Sequence, residues 1–397
     1  MPWQGVTVEE QRENFIRDWQ LRLWSISELA ERFCVSRKTA HKWINRFRSV
    51  GKNGYAERSR RPHTCPNATP QYIVDELIER RQKPRSRGAK KLVDAISRLH
   101  PEWPLPSIAT ANRILDRAGL LHKRKRTRRL HPGCPKTVAT EANEIWAIDY
   151  KGQFKLGDGT YCYPLTVSDL ATRFVLGCEA HGSPNHLQTK SYLEKLFLRY
   201  GLPERIRSDN GVPFASNALA RLSMLSVWLI RLGIYPELIE PGKPQQNGIH
   251  ERMHRTLKHD ATIPPSRSMA AQQKRFEAFL RDFNFDRGHE ALGMLRPAEL
   301  YSPSPRRFPE QLPEYHYPEH FLVRRVSRAG TVRLFTTQFF LATPLREQCV
   351  GFEEIDDGIY DVYFCFYLIG RYDVRKGKLS DVISRVPVSR TRMERAA

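Results

Sequence analysis

Long apolar runs are missing from this 397-residue chain. Nothing approaches the ~20 consecutive apolar residues of a membrane-spanning helix, and the N-terminus carries acids where a secretory signal would need an apolar core. A cytoplasmic protein with no membrane partner is the expectation. Acid is scarce as well: 43 Asp and Glu face 65 Lys and Arg, a formal net charge of +22. So large a surplus opposes compaction and favours a polyanion, with nucleic acid ahead of membrane surfaces and acidic proteins. Cysteine pairing is absent: the seven cysteines are scattered, with no Cys-x-x-Cys. That excludes a disulfide framework or structural zinc and points to a reducing compartment. What is present is a 40% hydrophobic complement and length enough for two or three domains.

Three carboxylates stand in informative contexts. Asp149 closes the apolar, strand-like run Ile145-Trp146-Ala147-Ile148-Asp149-Tyr150. Asp209 follows a second strand-like run in Arg205-Ile206-Arg207-Ser208-Asp209-Asn210-Gly211. Glu251 begins a helix-like stretch after the Pro/Gly-rich segment Glu240–Gly248. Two strand ends and a helix start can bring three acids to one spot, and hard Mg²⁺ ions need such oxygens. A metal pair can activate an attacking oxygen on one side of a phosphodiester and stabilise the leaving oxygen on the other. Singly each acid is weak evidence, since Asp before Asn-Gly is ordinarily a turn residue. The strength lies in their order, with 59 residues between the first two and 41 between the second and third. Asp158, in a Gly-Asp-Gly turn, and Asp169, between two strands, are competing acids read as structural. His250, His254 and His259 read as surface or DNA-facing, because no cysteine or further acid completes a zinc site.

Residues 1–57 read as an all-α helix-turn-helix unit. Ser27 is expected to cap one short helix, Cys34-Val35 to turn, and Ser36 to cap a second helix through Phe47. Ala40, Ile44 and Phe47 fall at core spacing, leaving Arg37, Lys38, Thr39 and His41 for a major groove. A generic three-helix packing unit is the plain alternative. After the Pro/Arg-rich segment 58–63, a second helical unit spans 67–121, with helices from Thr69-Pro70, over Ala89–Leu99, and from Ser107 to Gly119. Ile108, Ala111, Ile114, Leu115 and Ala118 are its expected inward face, and Thr110, Asn112, Arg113 and Arg117 its DNA face. The linker 122–139 opens with eight residues of which six are Lys or Arg; Lys123, Arg124, Lys125 and Arg126 would track phosphates. Strands near 144–150, 161–168, 173–179, 204–208 and 235–239, with a helix near 187–200, suit an α/β core with a mixed sheet over 140–303. Short strands and an Asp356-Asp357-Gly358 turn then suggest a small antiparallel β domain, 318–378, before a basic tail, 379–397.

With these motifs together, the stretch from Asn143 to Tyr301 resembles the catalytic core of bacterial insertion-sequence transposases of the DDE superfamily, relatives of retroviral integrases with an RNase H-like fold. Trp146–Asp149, Ser208–Gly211 and Pro244–Gly248 through Glu251 carry the resemblance, as does the later block Phe283-Asn284 and Arg287–Gly293. Two features depart from the family pattern. Gly288 stands where proline is usual, and the longer gap between the second and third acids suggests an extended helix over 216–232. The resemblance implies a DNA transposase that cuts element ends and transfers strands. Asp149, Asp209 and Glu251 would hold two Mg²⁺ ions, with Mn²⁺ able to substitute. Arg255 and Lys258 resemble positions that grip end DNA, and Asn210, Gln246 and Asn247 are candidates for orienting substrate. It further implies double-stranded DNA (element ends and target) as partner, a homo-oligomer on that DNA, nucleoid association, and no small-molecule substrate. A helix-turn-helix repressor with an inactive core and an RNase H-like nuclease without strand transfer are the rival classes.

Overall fold

The computed structural model describes residues 7–57, 66–82, 87–121 and 137–382. The chain divides into two compact units, Met1–Ala68 and Thr69–Ala397. The segments 58–63 and 122–136 and the tail beyond 382 fall entirely outside the described residues, so Lys123, Arg124, Lys125 and Arg126 are not placed.

In the first unit, α1 (Val8–Gln20), α2 (Ile26–Arg32) and α3 (Arg37–Val50) close over Phe15, Ile16, Leu29, Ala30, Ala40 and Ile44. The cap of α2 is Ser25, not Ser27: Ser25 and Glu28 bond reciprocally to each other's backbone N–H, which fixes the start two residues earlier. Cys34 adopts a left-handed φ of 50°, so the turn between α2 and α3 forms without the glycine that conformation favours. Ser36 caps α3 as expected, and α3 runs three residues past Phe47.

The second unit begins with α4 (Gln71–Gln82), α5 (Ala89–Leu99) and α6 (Ile108–Arg117), packed around Ile73, Leu77, Leu92, Ile96, Ala111 and Leu115. Ile108 and Ala118, expected inside, are exposed at the two ends of α6. A charged stripe along α5 meets the segment that follows the six-stranded sheet. Arg87, just before the helix, pairs with Asp282; Asp94 meets Arg296 at 3.0 Å; and Arg98 meets Glu299 at 2.5 Å. Gly288 explains itself here: a Cβ would stand 2.8 Å from the Asp94 carboxylate and 3.0 Å from the Met294 carbonyl oxygen. The departure from proline makes room for α5.

The sheet comprises β1 (Ile145–Tyr150), β2 (Phe154–Lys155), β3 (Tyr161–Asp169), β4 (Val175–His181), β5 (Arg205–Ser208) and β6 (Tyr235–Leu238). Its order is β2-β3-β1-β5-β6, with β4 also on β3; β1, β3 and β4 run antiparallel, while β5 joins β1 and β6 in parallel. Alternation along the strands sorts two faces. Trp146, Ile148, Leu165 and Val167 pack on α7 (His186–Tyr200) and α8 (Met224–Arg231). Cys162, Val175 and Cys178 pack on α9 (Gly248–Leu257) and α10 (Met269–Arg281). The expected helix over 216–232 is broken; only Met224–Arg231 is α-helical, preceded by a short 3-10 turn at Leu219–Arg221. Ala220 and Arg221 hold left-handed φ values of 51° and 54°, which no α-helix can continue through. The loop instead buries Ala220 and Leu222 against the C-terminal β domain. Helix α8 is apolar all round because Val227 and Ile230 face that domain while Leu225 and Leu229 face the sheet.

After the short α11 (Pro297–Leu300), the β domain contains β7 (Leu322–Arg325), β8 (Thr331–Leu334), β9 (Thr337–Phe340), β10 (Cys349–Asp356), β11 (Ile359–Phe364), β12 (Tyr367–Asp373) and β13 (Lys378–Asp381). Five of them form an antiparallel sheet in the order β13-β12-β11-β10-β7, and β8 and β9 form a hairpin. The apparently continuous run Ile359–Leu368 is two strands, broken where Cys365 takes a φ of 51°. The architecture is a helical N-terminal region, a mixed-sheet core and a C-terminal antiparallel sheet.

Candidate active site

Four buried residues, Ile145 to Ile148, anchor β1 and leave Asp149 half-buried near its end. Ala147 pairs with Arg207 across the parallel β1–β5 ladder. Asp209 directly follows β5, and its charge acts on Asp149. Asp209 accepts a hydrogen bond from the Gly211 N–H at 3.1 Å, so it is also a turn residue. Glu251 lies exposed in the first turn of α9. Burial, then the negative charge of Asp209, pushes the Asp149 carboxyl up to about 7 against opposing pulls from Lys151 and the Tyr150 backbone N–H, with Glu251 adding the smallest push. The three acids therefore share one electrostatic neighbourhood. Among the described residues no three His, Cys, Asp or Glu side chains are grouped as a ready-made metal site. The donor chemistry nonetheless fits a hard divalent cation: carboxylate oxygens whose mutual repulsion a cation would relieve.

Two buried histidines underlie this edge. His250 and His254 are 0% and 4% exposed, so they are not surface groups. His250 sits between Thr166 (2.8 Å) and Ser168 (2.6 Å), and His254 lies 2.6 Å from Thr166 and 3.7 Å from Asp149. Desolvation holds both imidazoles neutral, with pKa values lowered to about 3 and about 2. The sequence carried a signal for this: His250, Met253, His254 and Leu257 follow the i, i+3, i+4, i+7 spacing of a buried helical face. His259 is exposed as expected.

A second buried group braces the neighbouring strands. Arg207 and Glu237, each 2% exposed, pair at 2.6 Å across β5 and β6. Arg207 also donates to the Thr137 and Gln246 carbonyls, tying the loop before α9 to the strand before Asp209. Nothing in the sequence singled out this pair.

The remaining candidates divide. Arg255 and Lys258 are exposed on the helix that carries Glu251 and on the π turn that continues it. Asn210 and Gln246, expected to orient substrate, are instead committed to the loops. Asn210 donates to the Ile239 carbonyl and accepts from Arg221, and Gln246 makes two bonds with Glu240. Asn247 is 4% exposed, with no hydrogen-bond partner for its side-chain oxygen. Asp169 is fully buried and accepts from Asn143 and Thr172, and Asp158 accepts from Thr160. In the first unit Arg37, Lys38 and His41 are exposed at the start of α3, whereas the Thr39 hydroxyl is engaged with Ser36 at the helix cap. Asn112, Arg113 and Arg117 are exposed on α6, with Thr110 partly buried.

Comparison with known proteins bears on the family. Integrase core domain models match residues 139–244 and 232–297, and a model described as the leucine-zipper of insertion element IS481 matches 14–83. The chain is 25% identical over 283 residues to the insertion element IS476 uncharacterized 39.2 kDa protein of Xanthomonas euvesicatoria, covering 70% of this chain and 79% of that one. It is 26% identical over 251 residues to the insertion element IS407 uncharacterized 31.7 kDa protein of Burkholderia multivorans, covering 59% and 82%. The chain is thus similar to integrase core domains over 139–297 and to insertion-element proteins over most of its length. Among solved structures, the catalytic core domain of BIV integrase aligns with a TM-score of 0.31 at 20% identity, over 40% of this chain and 93% of that one. Among the described residues of 14–83 the chain forms the end of α1, then α2, α3 and α4 as separate helices.

Proposed function

We propose that this chain is a DNA transposase that cuts the ends of a mobile element and joins them to target DNA. One observation carries the reading: Asp149 lies near the end of β1, Asp209 directly follows its parallel neighbour β5, and the charges of Asp209 and Glu251 both act on Asp149. Asp149, Asp209 and Glu251 would hold two Mg²⁺ ions, or Mn²⁺ in their place. Bound there, the ions would supply charge stabilisation for in-line phosphoryl transfer and acidify the attacking hydroxyl. The chain's own residues do the positioning. Arg37, Lys38 and His41 on α3, and Asn112 and Arg113 on α6, meet the element ends. Arg255 and Lys258 hold the end near the acids, and Lys123 to Arg126 track phosphates. Assembly of two or more copies would bring two ends to one target.

The test uses labelled DNA ends taken from the sequence flanking the gene, a plasmid target and Mg²⁺. A transposase joins the ends, a nuclease only cuts them and a repressor only binds. Asp149→Asn, Asp209→Asn and Glu251→Gln should each abolish cutting and joining while end binding persists. Joining at the unaltered rate in any of the three would overturn the assignment.

A further inference from the structure

Thr166 pairs with Asp149 across the β1–β3 ladder, and three polar atoms surround its hydroxyl. These are the Asp149 carbonyl oxygen at 3.1 Å, His250 Nε2 at 2.8 Å and His254 Nε2 at 2.6 Å. A threonine hydroxyl has one proton and two lone pairs. The Asp149 carbonyl and one imidazole Nε2 compete for that proton, and a ring N–H donates to the hydroxyl's lone pairs. His250 Nδ1 lies 2.6 Å from the Ser168 hydroxyl, and His254 Nδ1 faces the Asp149 carboxylate at 3.7 Å. One hydroxyl of β3 is thus within hydrogen-bond distance of both rings of α9.

A pair of leucines would fill this space without burying polar atoms, and apolar packing of α9 would serve stability as well. Directional bonds add something that packing does not: they fix the rotation and axial position of α9. Glu251 follows His250 directly and precedes His254 by three residues. We propose that His250 and His254, acting through Thr166, are positioning residues that fix Glu251 relative to Asp149 so that the acids meet a metal ion in register. This rests on the reading of the three acids as the ion-holding centre.

The test measures Mn²⁺ binding to the full chain by electron paramagnetic resonance of the free ion, alongside end cleavage. Thr166→Val keeps the shape and removes the shared hydroxyl. Loss of such a supporting bond weakens metal sites by roughly 10–100-fold, so Mn²⁺ affinity should fall at least about tenfold on that scale, and excess Mn²⁺ should partly restore cleavage. Thr166→Ser should rescue both. If Thr166→Val does not fold, His254→Gln and His254→Asn decide. Gln carries a donor at the reach of Nε2 and should bind Mn²⁺ like the unaltered chain, whereas Asn falls short of Thr166 and should not. Equal affinity in Thr166→Val and the unaltered chain, or in the two His254 variants, overturns the proposal. An unaltered chain that binds no Mn²⁺ overturns the reading of the acidic centre itself.

Discussion

Two three-helix units precede the catalytic sheet, and they use charge in opposite ways. In residues 7–57 the recognition-like helix α3 has no acid in its first turn, and Arg37, Lys38, His41 and Lys42 stand exposed. In residues 66–121 the cations on one side of α5 face acids of the segment behind the catalytic sheet, Arg87 with Asp282 and Arg98 with Glu299, while Asp94 answers Arg296. The first unit closes its own core within Met1–Ala68, whereas the second belongs to one compact unit with the catalytic sheet. Similar three-helix sequences thus give one surface left for a polyanion and another partly committed to the protein itself. For α6, whose Asn112 and Arg113 remain exposed, any DNA it meets is presented from a platform tied to the acids.

The comparison predicts its largest effect at Arg87. Its side chain is 5% exposed and that of Asp282 31%, with Arg287 also acting on Asp282, so the pair is only partly buried. Arg87→Met should cost about 3 kcal/mol, the lower end of the range for buried pairs, to be read by urea unfolding of the full chain. A loss under about 1 kcal/mol, the range of surface pairs, would mean that α5 is not tied down by charge.

Uncompensated charge reappears at Asp149, now negative. Its carboxyl is raised in the folded chain to about 7, chiefly by burial. A raised folded value means that the associated stability is present below the ordinary carboxylate range and disappears as pH climbs through about 7. Without metal, Asp149→Asn should therefore gain on the unaltered chain between pH 4 and pH 8, reaching a few kcal/mol at about 1.4 kcal/mol per pKa unit. Parallel unfolding curves in chelator across that range would break the account. The cause is the same in both regions: a charge without a partner costs most where water is excluded.

A smaller effect is expected at Gly288. Gly288→Ala drives a methyl into Asp94 and the Met294 carbonyl, an overpacking cost of about 1–3 kcal/mol. Combined with Asp94→Ala the costs should be less than additive, because the clash and the ion pair share one carboxylate. Strict additivity would place the strain elsewhere.

The smallest stability effects belong to the first unit. Arg37→Ala and Lys38→Ala should leave the unfolding midpoint nearly unchanged, within about 0.5 kcal/mol for exposed positions. Each should still weaken end binding by about 1–3 kcal/mol where it reads a base. If unfolding suffered instead, the contrast between the two units would disappear.

The local patterns were legible in the chain itself. Strand periodicity located β1, β3 and β5, Ser36 and Ser107 marked helix starts, and Ala89–Leu99 matched α5 to the residue. These succeed because apolar spacing and cap chemistry act over a few residues. The motifs around Asp149, Asp209 and Glu251 were legible for the same reason. Other features waited on contacts between distant segments. The loop over 216–223 reads as helix until the β domain gives Ala220 and Leu222 somewhere to bury. The histidines beside Glu251 read as surface groups until Thr166 and Ser168, more than 80 residues earlier, supply their partners. Gly288 reads as an exception until Asp94 fills the space its side chain would take. Composition, periodicity and motif order determined the fold class, the positive field and the candidate acids. Only the tertiary structure decided which polar groups are buried, because a partner for a buried polar group is a property of the sheet register and helix packing, and neither is local in sequence.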